Sequence, residues 1–397
     1  MTDLLLTGIS SLTTNHGEPV SDAVVAIEDG MITYAGETAD APSQGNGRRI
    51  DCEGKAVIPG FVDAHTHLVF AGDRSDEFAR RLAGETYVSI AATGGGILST
   101  VAATRSVSDE ELFELAKGRL LRMLRAGTTT IEVKSGYGLD LVTERRLLEV
   151  GRRLGDELPV TVKTTLLAAH AVPPEFASDR LGYIDLVTEE IIPSLCDLAD
   201  YCDVFVEEGV FAVEEARRIL AAGVEHGLRP RVHACQLTPG GGALLAAELH
   251  AVSADHLDHA TPDDAAALAD AEVAAVLLPG ASYILGGPHA SARMLWDAGC
   301  TVALGTDCNP GTSYLEAMGL VISLAVVEMG LTPEEAIWAA TRGGALSLDL
   351  PDRGLLVAGG HADLVVLDAP NPTHIPYRPA SNLVWRVVSG GEVVVPD

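Results

Sequence analysis

The chain has 397 residues, 47% of them hydrophobic, which is enough to bury a large core and excludes an intrinsically disordered protein. Its formal net charge of −29 repels nucleic acid, so no polyanionic partner is expected. The six cysteines, Cys52, Cys196, Cys202, Cys235, Cys300 and Cys308, form no Cys-x-x-Cys pair and read as reduced cytosolic thiols rather than a disulfide framework.

No uninterrupted apolar run reaches membrane-spanning length, and Met1-Thr-Asp-Leu-Leu-Leu6 lacks a basic flank, so a soluble cytoplasmic protein is expected. Lysine is confined to Lys55, Lys117, Lys134 and Lys163, with arginine supplying the remaining positive charge. Such a surface matches proteins that stay soluble in concentrated salt through solvated carboxylates.

The first element is a hairpin. Ala23-Val-Val-Ala-Ile-Glu-Asp-Gly-Met-Ile-Thr-Tyr34 holds two strand-like runs joined at Asp29-Gly30. Eight apolar, strand-like runs follow at 56–62, 128–133, 160–169, 201–206, 231–235, 251–255, 273–278 and 301–306. Helix signals separate them. Ser108-Asp-Glu-Glu111 and Thr332-Pro-Glu-Glu335 read as capping boxes, and Pro262, Pro288 and Pro333 stand near helix starts. Eight strand–helix alternations predict a TIM (β/α)8 barrel, class α/β, over residues 56–350. A doubly wound sheet competes, but no Gly-x-Gly-x-x-Gly opening is present. Further strands at 362–367 and 385–395, the latter turning at Gly390-Gly391, complete the pattern. Neither flank alone buries a sheet face. Residues 1–55 and 351–397 are therefore expected to pair as one small β-sandwich built from both termini.

The chemistry gathers at the strand ends, where barrel enzymes carry their active sites. His65 and His67 lie two apart in Val62-Asp-Ala-His-Thr-His67, so strand alternation points both rings to one side. The third run ends in His170, the fifth carries His233, the sixth ends in His256 with His259 beyond, and the eighth ends in Asp307. A lone histidine is usually a structural residue. Histidines converging on one rim with an aspartate point to a metal site.

This arrangement resembles the amidohydrolase superfamily along the whole chain. Longer stretches narrow the resemblance to the imidazolonepropionase family: Phe61-Val-Asp-Ala-His-Thr-His-Leu-Val-Phe-Ala-Gly-Asp-Arg-Ser-Asp-Glu-Phe78, Thr93-Gly-Gly-Gly-Ile97, Lys134-Ser-Gly-Tyr-Gly-Leu139, Ala168-Ala-His-Ala-Val-Pro173 and Asp307-Cys-Asn-Pro-Gly-Thr312. The resemblance implies metal-dependent hydrolysis of 4-imidazolone-5-propanoate to N-formimino-L-glutamate in histidine degradation. It implies the ligand set His65, His67, His233 and Asp307. The fourth run, 201–208, lacks the lysine that bridges two ions in the binuclear branch, so one divalent ion per chain is expected, zinc or iron.

The resemblance also gives roles to other positions. Arg74 is expected to hold the propanoate. Tyr137, His170, Gln236, Asn309, Gly311 and Thr312 are expected to contact substrate. His256 is expected to orient or deprotonate the attacking water, and Asp307 to pass its proton to the departing nitrogen. Gly94-Gly-Gly96 is expected to form a lid segment, and Cys235 and Cys308 to pack. Two rivals stand beside this reading: a deaminase-type aminohydrolase, which the glutamine at 236 disfavours, and a catalytically silent metal-binding barrel. The expected partner is the small substrate alone, with no nucleic acid and no membrane, and a homodimer is left open.

The charge makes the first prediction. Self-repulsion is screened by salt over about 8–10 Å, so the melting temperature is expected to rise along a potassium chloride series. A flat or falling series contradicts the reading of the surface as one suited to high salt.

Overall fold

The computed structural model describes residues 3–41, 47–85, 95–379 and 381–395. Eight parallel strands form the barrel sheet: β1 (Phe61–Asp63), β2 (Thr128–Lys134), β3 (Thr161–Ala169), β4 (Tyr201–Val206), β5 (Arg229–Ala234), β6 (Ser253–His256), β7 (Ala274–Leu277) and β8 (Val302–Leu304). Each pairs with its neighbour in chain order. Beyond the ends of β8 and β1 the sheet closes on itself. Ala64 N donates to Leu304 O (3.3 Å), Asp307 N to His65 O (3.0 Å) and His67 N to Cys308 O (3.1 Å). The TIM barrel expected from the alternation is therefore present, and its closing seam lies between two stretches expected to carry chemistry.

Local sequence explains the helices around it. Ser108 Oγ accepts from Glu111 N (3.2 Å) at the start of helix Asp109–Arg125. That helix buries Leu112, Phe113, Ala116, Leu120 and Met123, a stripe at helical spacing. Thr332 caps helix Pro333–Trp338 with Glu335 reaching back, as the capping box predicts.

The bottom of the barrel is plugged. Val62, Tyr201 and Val252 meet Ala345 and Leu348 there in one apolar cluster. Gly343 and Gly344 let the chain carrying this plug touch the strand ends. A Cβ on Gly343 would stand 2.1 Å from Val302 O, and one on Gly344 would stand 2.7 Å from Val62 O.

The run 56–62, read as the first barrel strand, is divided, and the expected barrel start at Ala56 moves to Phe61. Ala56–Pro59 pairs with Leu364–Leu367 and with the end of strand Leu4–Leu12, in the second sheet. Pro59 has no N–H to continue the ladder. Gly60 then turns the chain so close to β2 that a Cβ would meet Thr129 Oγ1 at 2.2 Å.

The smaller domain draws strands from both termini, as expected, and they join in one mixed sheet of eight strands. Its inner face packs on itself: Leu6, Ile9, Val25 and Ile27 share an apolar cluster with Leu364, Val366 and Val388. The Asp29-Gly30 turn has φ of 50° and 73°, and Gly390-Gly391 has 56° and 84°, both fitting two-residue hairpins.

Gly343→Ala is expected to cost about 1–3 kcal/mol, the usual penalty for overpacking a filled core. A lowered denaturation midpoint in guanidinium checks it. An unchanged midpoint contradicts the packing described for the plug.

Candidate metal centre

Strand parity and barrel closure assemble the centre. Asp63, His65 and His67 continue one face of β1, His233 lies on the inner face of β5, and Asp307 follows β8 across the seam. The Nε2 atoms of His65 and His67 stand 3.3 Å apart, and those of His67 and His233 3.4 Å apart. Asp307 Oδ1 lies 3.6 Å from His65 Nε2 and 3.7 Å from His67 Nε2. Donors on a tetrahedron with bonds of about 2.0–2.2 Å are separated by about 3.3–3.6 Å. His65 and His67 with His233, and the same pair with Asp307, are spaced as ligands of one small cation. His65, His256 and Asp307 form an overlapping donor group.

Burial governs the protonation of this cluster. Loss of solvent, reinforced by Lys134 for His65 and by His170 for His67, holds both imidazoles well below the ordinary histidine range. Both rings are thus neutral and keep a lone pair for a metal. Facing lone pairs repel one another, and a cation between them removes that conflict. Burial also pushes the Asp307 carboxyl well above its usual range, so an ionised Asp307 needs positive charge close by. The donor set suits a divalent metal.

Behind the histidines lies a second tier of charged groups, all buried. His65 Nδ1 is 2.7 Å from Asp255 Oδ2. His233 Nδ1 is 2.9 Å from Asp203 Oδ2, within ion-pair distance though off the line of a good hydrogen bond. Lys134 Nζ donates to Glu132 Oε1 (2.8 Å) and Asp203 Oδ2 (2.8 Å) and lies 3.3 Å from Asp255 Oδ2. Arg231 Nη2 reaches Asp255 Oδ2 at 3.2 Å. Burial disfavours ionised Asp255, but Arg231 and Lys134 prevail and hold its carboxyl well below the usual carboxylate range.

The cavity above the four donors measures about 150 Å³. His67, Arg74, Tyr137, His170, His233, Gln236, His256, Asp307, Asn309, Gly311 and Thr312 all line it, so every residue given a ligand, catalytic or substrate role from sequence except His65 faces it. His65 lies deeper, fully buried. His259 is half-buried and is not among the lining residues. Cys235 and Cys308 are buried in the core. Of the triple glycine, Gly94 lies outside the described residues, while Gly96 N donates to Glu77 Oε1 (3.0 Å).

The geometry alters several expected roles. Arg74 pairs with Glu77, its Nε and Nη2 both 2.9 Å from Glu77 Oε2. Its Nη1 presses on Gly311, where a Cβ would stand 2.3 Å away. His170 Nδ1 lies 3.1 Å from Gly136 O, and burial lowers its pKa to about 3. A neutral ring donating to Gly136 presents Nε2 to the cavity as an acceptor, so it suits an N–H group and not a carboxylate. Asn309 spends its side chain on its own turn: Nδ2 donates to Asp307 O (2.7 Å) and Thr312 Oγ1 (2.9 Å), and Oδ1 accepts from Gly311 N and Thr312 N (2.8 Å each).

His256 enters the cavity by a different route. Asp255 points into the barrel, so alternation would send His256 outward. Positive φ at His256 (79°) and Leu257 (64°) turns the backbone and brings the ring inside. Left-handed backbone at such residues costs about 1–3 kcal/mol each. Asp307, with φ of 53°, is held the same way.

Sequence reasoning missed the second tier. Glu132, Lys134, Asp203, Arg231 and Asp255 are charged residues inside apolar strands, and Arg231 shares strand parity with His233. That parity was the available signal. It also missed Asp63, which accepts from Thr306 N (2.9 Å) and Oγ1 (2.7 Å) and so anchors the end of β8.

Comparison with known proteins places this geometry. A family model described as "Amidohydrolase family" matches residues 73–395. The chain is 47% identical over 403 residues to the imidazolonepropionase of Streptomyces griseus, covering 100% of both chains. It is 48% identical over 409 residues to that of Myxococcus xanthus, covering 99% of this chain and 97% of the relative. Its fold matches a mutant atrazine chlorohydrolase from Arthrobacter aurescens, complexed with zinc and atraton, with a TM-score of 0.76 at 20% identity, covering 99% of this chain and 95% of the other.

A bound divalent ion stabilises the folded chain by about 4 kcal/mol at a thousandfold excess over its dissociation constant. Thorough chelation is therefore expected to lower the melting temperature, and added zinc to restore it. Identical melting of chelated and zinc-treated protein contradicts a metal centre here.

Proposed function

The chain belongs to the amidohydrolase family and, within it, to the imidazolonepropionases, and from this premise we propose how its site works. It hydrolyses the ring amide of 4-imidazolone-5-propanoate to N-formimino-L-glutamate, a step of histidine degradation. The observation that carries the mechanistic reading is His67 Nε2 standing 3.3–3.7 Å from the donors of His65, His233 and Asp307 at the floor of a cavity whose wall holds an arginine.

We assign one zinc or iron ion per chain to His65, His67, His233 and Asp307. The absence of a lysine from β4, where one would bridge a second ion, supports a single ion. When bound, the ion supplies Lewis acidity and lowers the pKa of a water from about 16 toward 7.

The protein's own groups do the rest. His256, kept neutral by burial, takes up or orients the proton of the attacking water. The water oxygen adds to the ring carbonyl carbon, and the carbon–nitrogen bond then breaks. Asp307, in the same donor group as His256, receives that proton and delivers it to the departing ring nitrogen. His170 Nε2 accepts from a ring N–H, and Tyr137 and Gln236 hydrogen-bond the ring. Arg74 meets the propanoate with the guanidinium hydrogens that Glu77 leaves free. Asn309, Gly311 and Thr312 act through their turn, which fixes Asp307 and buttresses Arg74.

Incubation with 4-imidazolone-5-propanoate and identification of the product by mass tests the reaction. Release of ammonia instead of ring opening contradicts it. Arg74→Gln is expected to raise KM about ten- to a hundredfold, because a charge-assisted pair with a carboxylate contributes about 1.5–3 kcal/mol. A substrate lacking the carboxylate should be handled equally poorly by wild type and variant. If the variant penalises the tail-less compound as heavily as the natural one, Arg74 is structural.

A further inference from the structure

A fully buried lysine stands beneath the metal donors, and the reaction does not use it. Lys134 has no solvent exposure, in a chain that keeps lysine at only four positions. An ammonium has three donors and is costly to bury unless each is met. Here two are met by hydrogen bonds, to Glu132 on its own strand and Asp203 on β4, and Asp255 on β6 stands at ion-pair distance. The two Oδ2 atoms it holds on Asp203 and Asp255 are the same atoms that face His233 Nδ1 and His65 Nδ1.

We propose that Lys134 is a positioning residue, which fixes His65 and His233 for metal capture by holding the carboxylates behind them. The inference rests on the reading that these histidines bind a divalent ion. With Nδ1–H bonded to Asp255 at His65 and facing Asp203 at ion-pair distance at His233, each ring keeps the tautomer whose Nε2 is bare toward the centre. A single ammonium thereby sets the orientation of two ligands from strands that are not neighbours, β1 and β5. Without it, Asp203 and Asp255 lose their shared anchor, and both rings can turn away from His67.

The sign of the effect distinguishes this role from a purely electrostatic one. A positive charge near a cation site weakens cation binding, so removing Lys134 for charge alone would tighten the metal. Removing an anchor loosens it.

Zinc affinity is measured by competition with a chromophoric chelator, on wild type, Lys134→Met, Lys134→Gln and Lys134→Arg, with circular dichroism confirming the fold. The zinc dissociation constant is expected to rise about 10–100-fold in the Met and Gln variants, as for other groups that orient metal-bound histidines. The Arg variant should recover part of the loss. Affinity unchanged or tightened in folded Met and Gln variants overturns the proposal and leaves the metal reading intact. Absence of zinc binding by the wild type overturns the metal reading itself. Should the Met and Gln variants not fold, nitrogen-15 histidine spectra of the metal-free wild type decide. The proposal requires Nδ1–H tautomers at His65 and His233, and an Nε2–H tautomer at either overturns it.

Discussion

Three imidazoles and a carboxylate meet away from water, with His67 Nε2 within 3.7 Å of the other three donors, and they call for positive charge between them. Much of the barrel interior answers that constraint. Burial keeps the His65 and His67 rings neutral, and buried carboxylates receive the far sides of His65 and His233. Lys134 and Arg231 offset those two carboxylates and leave Glu132 over, and Arg231 also donates to Ser347 O and Ala64 O at 3.0 Å each. That arginine thereby links the charged tier to the plug at the bottom of the barrel. Metal site and barrel core are one structure, and a change in either reaches the other.

The closing seam explains how few residues achieve this. The bonds from Asp307 N to His65 O and from His67 N to Cys308 O zip the first and last barrel strands together just above the sheet. They fix the positions of three donors by backbone geometry alone. Asp63 anchors Thr306 across the same seam. The fourth donor, His233, comes from the far side of the barrel, where its approach depends on side-chain contacts instead.

Much of this was legible in the residues. The spacing of His65 and His67, the histidines and aspartate at later strand ends, and eight apolar runs separated by capped helices led to a barrel with a metal-binding rim. Periodicity could not show where the first strand begins, because Ala56–Val62 is apolar throughout. Only Pro59 and Gly60 mark the passage between sheets. His256 was placed correctly by its position at a strand end, yet strand alternation argues against it, and left-handed backbone reverses that direction. Pairings such as Arg74 with Glu77, or Asn309 with its own turn, depend on side-chain rotamers and leave no trace in spacing. The charged second tier was visible as polar residues in apolar strands, but its connectivity required the closed barrel.

The central claim is that His65, His67, His233 and Asp307 surround a single cation. Anomalous diffraction from crystals of zinc-loaded protein, recorded on both sides of the zinc absorption edge, tests it most directly. The account predicts one strong anomalous peak per chain, about 2.0–2.2 Å from the three Nε2 atoms and from an Asp307 oxygen. A second peak of similar strength in the barrel, or a single peak away from these four side chains, contradicts it.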